Sequence, residues 1–336
     1  MNKIAKTVLM TGTALCAAGV VLSTAGYFAG GKDFTYTSDH MYVSGGNSSS
    51  RKNLTVMKKE QIDDFTKLNV DFENFDLDIR TSDDDHYYME YKLEKNGRKN
   101  PLTWKDKDGE LTLEESAGGS GSYYITYDLG IFSTHADLTE KKDALNTVIL
   151  YIPEKAQLSE AELQLSDGDL TADQLLCKEM TLELLNGDLM LDKGEFEKFD
   201  AKLSDGDLNV KELQCTDNMQ LKSGNGDVTI KKAELADGQI ALSDGDIQID
   251  NGSFNGDMKI NSSCGDISVE MKNGSVEKTN IYLKAVDGDV DTEGLSRGKS
   301  DNEEDTSVYE NKVGASAPTL NVKCSDGDIT LTEFEK

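Results

Sequence analysis

The chain has 336 residues, with 35 Lys and Arg against 63 Asp and Glu, and a formal net charge of −28 at pH 7. That balance argues against nucleic acid and anionic lipid surfaces as partners. The three histidines, His40, His86 and His135, are too far apart in sequence for metal-ligand spacing, and beyond His135 there is no His and a single Arg, Arg297.

At the N-terminus, Lys3 and Lys6 precede 25 residues, Thr7 to Gly31, that carry no charge. This run is long enough to span a bilayer, and the two lysines orient its start toward the cytoplasm. Residues 1–31 are therefore expected to form one transmembrane helix, with the rest of the chain extracytoplasmic. A cleaved signal peptide, cut after Ser23-Thr24-Ala25, is the competing reading. Leu15 is not the small residue that a lipidated Cys16 would need before it. Residues 32–61 read as a linker.

Residues 62–336 read as one repeat array, and through the second half of the chain one phrase recurs: Ser or Asn, Asp or Asn, Gly, Asp, aliphatic. Its Gly-Asp pairs start at Gly168, Gly187, Gly206, Gly226, Gly245, Gly265, Gly288 and Gly327, the first six spaced 19, 19, 20, 19 and 20 residues apart. A fixed period of this length marks a stack of small identical units. Aligned on the Asp, the coils form apolar columns. One runs Leu163, Leu182, Ala201, Leu221, Ile240, Ile260, Leu283 and Val322; another runs Leu170, Leu189, Leu208, Val228, Ile247, Ile267, Val290 and Ile329. Apolar residues at alternate positions are the pattern of strands with one buried face. Each coil is thus expected to have a strand before and a strand after the Gly-Asp turn, where Gly accepts positive φ. A further column, Cys177, Phe196, Cys215, Leu235 and Phe254, is expected to close the far side. Columns held in phase over so many coils favour an all-β solenoid, single-stranded and β-helix-like, over a meander of hairpins. Gly256-Asp257 is out of phase and is expected at the opposite corner.

The same offsets recur upstream around Asp76 (Leu68, Val70, Phe72, Leu77, Ile79) and around Glu110 (Leu102, Trp104, Leu111, Leu113), with Asp106 a misfit. Val148, Leu150 and Ile152 before Pro153 read as another strand. Two segments break the pattern and are expected to project as loops. Residues 115–147 hold a Gly/Ser stretch, an aromatic strand from Tyr123 to Tyr127 and a polar, helix-compatible piece. Residues 293–318 are polar and charged. The cluster Tyr123, Tyr124, Tyr127 and Phe132 is either a binding patch or one strand's packing face.

Five cysteines in an exported chain raise the question of disulfides. Cys177 and Cys215 share a column two coils apart, about 9.6 Å at strand spacing, beyond the ~7 Å limit for bridging Cα atoms. Cys324 replaces a core Leu. Cys264 stands in the exposed turn column and is the thiol expected to react. The Asp columns flanking the turn glycines are either turn-forming acceptors or rows of oxygen ligands for Ca²⁺; the architectural reading is preferred, and no metal or cofactor is expected. A Ser-His-Asp triad cannot be assembled within the repeats. Acids that recur at equivalent positions also differ from the unique carboxylate patch of a polysaccharide hydrolase or lyase. No catalytic, cofactor-binding or metal residues are assigned.

The phrase Ser166-Asp167-Gly168-Asp169-Leu170 and its copies, the lead-in strand Val148 to Pro153, and an N-terminal apolar segment ending in Gly30-Gly31 resemble a bacterial family of β-strand-repeat domains of unknown function, catalogued as putative adhesins. The resemblance covers residues 62–336. It implies a non-catalytic surface protein of a Gram-positive cell envelope, acting as an adhesin or scaffold on an envelope component or protein partner. A sensor or accessory role in envelope stress, and an enzyme acting on polysaccharide, are the alternatives. Phe75, where the family has Gly, and the charged 293–318 segment depart from the pattern.

Overall fold

The computed structural model describes residues 34–36, 41–43, 54–117, 145–292, 295, 298–303 and 305–334. The chain divides into two compact units, Met1–Asn53 with Gly118–Lys141, and Leu54–Ala117 with Lys142–Lys336. In the first, β1 (Phe34–Tyr36) and β2 (Met41–Val43) pair antiparallel. The expected membrane segment 1–31 and the aromatic cluster Tyr123 to Phe132 lie outside the described residues. No helix among the described residues is long and apolar enough to cross a membrane.

The second unit is a β-solenoid. Its central coils are long strands that bend through corners: β11 (Leu170–Asn186), β12 (Leu189–Asp205) and β13 (Leu208–Asn225) pair parallel and in register. Each coil has three paired segments, as in β11, where residues 170–172, 174–177 and 179–184 pair with β12 and the residues between them do not. The column Cys177, Phe196, Cys215, Leu235, Phe254 forms the third side, each member opposite the next. Alternate residues of every segment are buried, so the columns expected from the sequence are the core. Coils of 20 residues place the extra residue at the corner between the third and first sides, after Cys215 and at Asn255-Gly256-Asp257. Here Asp257 donates its N–H to Asp237 Oδ1 at 2.6 Å, which makes a second Gly-Asp corner opposite the main one.

The stack continues through β14 (Val228–Ile230), β15 (Ala233–Asp244), β16 (Ile247–Phe254), β17 (Met258–Cys264) and β18 (Ile267–Met271). It then departs from chain order. The next coil in space is β23 (Thr319–Asp326) with β24 (Ile329–Glu333), on β17 and β18. The earlier pair β19 (Asn280–Val286) and β20 (Val290–Asp291) lies beyond it. The segment expected to project as a loop at 293–318 instead contains β21 (Lys299–Glu303) and β22 (Thr306–Asn311). This antiparallel hairpin lies on β19 and covers the open edge. Ser307, Tyr309 and Asn311 are buried there, and Asn311 Nδ2 donates to the Val276 and Thr279 carbonyls.

The other end is built the same way. β4 (Lys67–Phe72) and β5 (Asp76–Ser82) pair with β10 (Leu158–Leu165) and β11 on one side. On their other side lie β8 (Glu110–Glu115) and β9 (Thr147–Pro153). β7 (Leu102–Lys107) closes β8 antiparallel. β6 (Tyr87–Glu94) closes β9, and β3 (Leu54–Ile62), within the stretch expected as linker, closes β6. Glu110 is therefore not a coil corner. Lys107 pairs with Glu110 across a tight turn at Asp108 and Gly109, both at positive φ (57° and 78°), the geometry of a two-residue hairpin. Antiparallel caps at both ends shield the unpaired main-chain groups of the last parallel strands, the usual remedy for an exposed sheet edge.

The corner glycines stack directly. A methyl group on Gly206, whose φ is +141°, would collide with the carbonyl oxygen of Gly187. Gly206→Ala should lower stability by about 3 kcal/mol or more, since backbone must shift and strain adds to it. Urea unfolding checks this; a loss under ~1 kcal/mol would mean that the corner has room the geometry denies.

Candidate functional surface

The carboxylates of the Gly-Asp turns are joined into a chain of hydrogen bonds along the stack. Asp76 Oδ1 accepts the Asp169 N–H at 3.0 Å, Asp169 Oδ1 the Asp188 N–H at 2.9 Å, and Asp188 Oδ1 the Asp207 N–H at 2.8 Å. The series runs on through Asp227, Asp246, Asp266, Asp328 and Asp289, each donating to its neighbour. Each side chain therefore serves the adjacent coil, whereas the expected turn-forming acceptor would serve its own turn. The parallel column on the other side of the glycines alternates Asp and Asn from Asp167 to Asp244. Asn186 Nδ2 donates to Asp167 Oδ1 at 2.7 Å, and Asn225 Nδ2 to Asp205 Oδ1 at 2.6 Å. Interleaved amides remove the like-charge contact that a run of Asp at strand spacing would create.

At the start of the ladder the place of the corner glycine is taken by Phe75, which is buried. Among the described residues no further Gly-Asp corner lies beneath it. Glu115 fills that place, accepting the N–H groups of Glu73 and Asn74 at 2.9 and 2.6 Å. Arg98 bonds Glu115 at 2.8 Å, with the two side chains 8% and 1% exposed, and lies 5.4 Å from the Phe75 ring centroid. Burial raises the Asp76 carboxyl above its usual range, while the Asp169 N–H pulls it back.

The cysteines sit where their columns place them. Cys177, Cys215 and Cys324 are buried, Cys264 is exposed, and all four are free thiols. Phe196 separates Cys177 from Cys215. Burial pushes the Cys177 thiol up to about 12 and raises Cys215 and Cys324 as well, which makes these three poor nucleophiles.

The outer faces of the central coils are joined by ion pairs between neighbouring coils, including Lys198–Glu179, Lys202–Glu183, Lys211–Asp192 and Lys231–Asp250 at 2.6–2.9 Å. Two features stand apart from this pattern, and neither was foreseen from the sequence. On the N-terminal cap the Lys59 ammonium lies 3.6 Å from the Tyr151 ring centroid and 4.9 Å from that of Tyr88. At the C-terminal cap an open cleft of about 370 Å³ lies between β19, β22 and the loop before β23, with Ile281, Tyr282, Asn311 and Ala315 among its walls. His86 is exposed on a turn 3.5 Å from Asp84. Among the described residues no group of three or more His, Cys, Asp and Glu is arranged to hold a metal ion.

The model of the Toastrack DUF4097 family matches residues 65–332. No curated protein matches the sequence. Among solved structures, a putative adhesin from Parabacteroides merdae is 16% identical with a TM-score of 0.47, over 84% of this chain and 97% of that one. A putative adhesin from Parabacteroides distasonis is 16% identical with a TM-score of 0.46, over 83% and 96%. A putative lipid binding protein from the same species is 13% identical with a TM-score of 0.45, over 85% and 98%.

Asp76 offers a test of the ladder. Its carboxyl holds a proton to higher pH when folded than when unfolded, so its contribution to stability is complete below the ordinary carboxylate range and is lost as pH rises through the folded value. Asp76→Asn keeps the acceptor for Asp169 and removes the charge. The melting temperature of the variant, relative to the original protein, should rise as pH goes from about 3 to 7. Thermal scans across that range would show a flat difference if burial of the charge were unimportant.

Proposed function

We propose that this chain, which belongs to the Toastrack DUF4097 family, acts without catalysis as a cell-envelope surface protein, an adhesion module or scaffold. In this reading residues 1–31 tether it to the membrane as a single-pass anchor, and the repeat unit stands outside the cytoplasm. One observation carries the proposal: the recurring carboxylates, which in another setting would be candidate acids, bases or metal ligands, are occupied in holding successive coils together. What the repeats leave free is lateral surface. Long flat faces of parallel strands suit contact with an extended partner better than conversion of a small substrate. The scarcity of candidate catalytic groups points the same way, since the described part of the repeats contains no histidine beyond His86.

Intact cells treated with a non-penetrating protease should lose the repeat unit while a cytosolic control protein survives. Protection of both to the same degree would rule out surface display. Because the carboxylate columns serve the scaffold, EDTA should leave the melting temperature unchanged; a rise of several degrees on adding Ca²⁺ would reassign them as cation ligands.

A further inference from the structure

The first side of each coil presents outward the residues five and seven positions before the corner Asp. Over the first half of the stack these include the acids Asp71, Glu162, Glu183 and Asp200 and one lysine, Lys202, paired with Glu183 of the neighbouring coil. Toward the C-terminal cap the pattern changes. One outward row runs Lys222, Ala241, Asn261, Lys323, Lys284, each opposite the next. The row beside it runs Gln239, Lys259, Asn321, Tyr282. Lys284 and Lys323 are direct neighbours across β19 and β23, although 39 residues separate them in the chain. At ~4.8 Å per coil, Lys222 lies about 14 Å from Lys323. Lys222, Lys259 and Lys323 are exposed and Lys284 half-buried. None of the four takes part in the ion pairs found among the described residues, unlike the lysines of the preceding coils. Glu310, which lies opposite Tyr282, is paired with Lys312 at 2.6 Å.

We infer that this face, with Lys259, Lys284 and Lys323 at its centre, binds an anionic polysaccharide chain laid along the stack. A protein of net charge −28 repels polyanions at long range. At physiological ionic strength the Debye length is about 8 Å, so a ligand in contact with the face is governed by the local charges, the lysines at its centre and Asp237 and Asp257 at its edge. The face is flat and open, which suits a polymer and not a small anion. Besides Ala241, its other side chains are amides and one ring, Asn261, Asn321, Gln239 and Tyr282, able to bond hydroxyl groups and to lie against a sugar. Tyr282 also lines the 370 Å³ cleft, which extends the surface past the last coil. Among the described residues this face carries neither Arg nor a run of aromatic rings for base stacking, which separates it from a nucleic-acid surface.

This inference deepens the envelope-surface reading and rests on it for the choice of partner. Fluorescence anisotropy of the full chain in detergent micelles, with labelled polygalacturonate as probe at about 0.05 M salt, tests it. Binding is expected and should weaken as salt is raised, whereas neutral dextran should not bind. Lys259→Gln, Lys284→Gln and Lys323→Gln combined should weaken binding about tenfold, the loss of three weak charge contacts. Lys211→Gln with Lys231→Gln, on the next side of the coil, should bind as the unaltered protein does. An unchanged melting temperature would show that the triple variant is folded. Absence of polygalacturonate binding, or equal binding by the folded triple variant, would overturn the inference. Equal affinity for inorganic polyphosphate would overturn the assignment to a glycan. If protease treatment shows surface display while polygalacturonate fails to bind, the inference falls and the envelope reading stands.

Discussion

Each coil gives one backbone N–H to an aspartate of the coil before it, and a glycine beside that aspartate lets the two main chains approach closely enough for the bond to form. The stack depends on this pair of conditions. The glycine column tolerates no side chain, because a Cβ would collide with a carbonyl oxygen of the neighbouring coil. The aspartate column satisfies a donor that the corner would otherwise leave without a strand partner, and such a bond contributes about 0.5–1.5 kcal/mol net. With the corner in register, the apolar columns on the three sides fall into line, and the extra residue of the 20-residue coils is accommodated at the far corner.

The ends obey a different constraint. A parallel stack has two open edges, and a long unpaired edge invites pairing with other chains. Both are covered by antiparallel strands, β7 and β6 at one end and β22 and β21 at the other. Polar groups complete the closure: the buried Arg98–Glu115 pair beneath Phe75, and the Asn311 amide against two carbonyls. Phe75 thus stands where a glycine is needed only if another corner lies below.

Much of the interior is legible in the sequence because the burial of one residue in two is a local property. The columns through Leu163 and Leu170, the burial of Cys177, Cys215 and Cys324, and the exposure of Cys264 all follow from alternation and period. The order of the last coils does not, since Met258, Leu320 and Ile281 are interchangeable members of one column and the apolar pattern is the same in either order. The hairpin at Asp108-Gly109 is missed for a related reason: Leu102 and Leu111 satisfy the column offsets, although Trp104 is 38% exposed and the dipeptide is itself a hairpin signal. The candidate surface is less legible still. Lysines 259, 284 and 323 occupy outward positions without a shared motif, and only the register of three coils brings them onto one face.

That inserted coil also has a bearing on how the protein is completed. A one-dimensional stack grows by adding each new coil to the last, and a chain emerging from its N-terminus can assemble as it appears. Here β19 to β22 emerge before β23 and β24, yet they lie outside them. A slot one coil wide must stay open, or reopen, until the closing residues arrive to fill it. The terminal cap is therefore a provisional structure during biogenesis, and the final strand pair is its wedge.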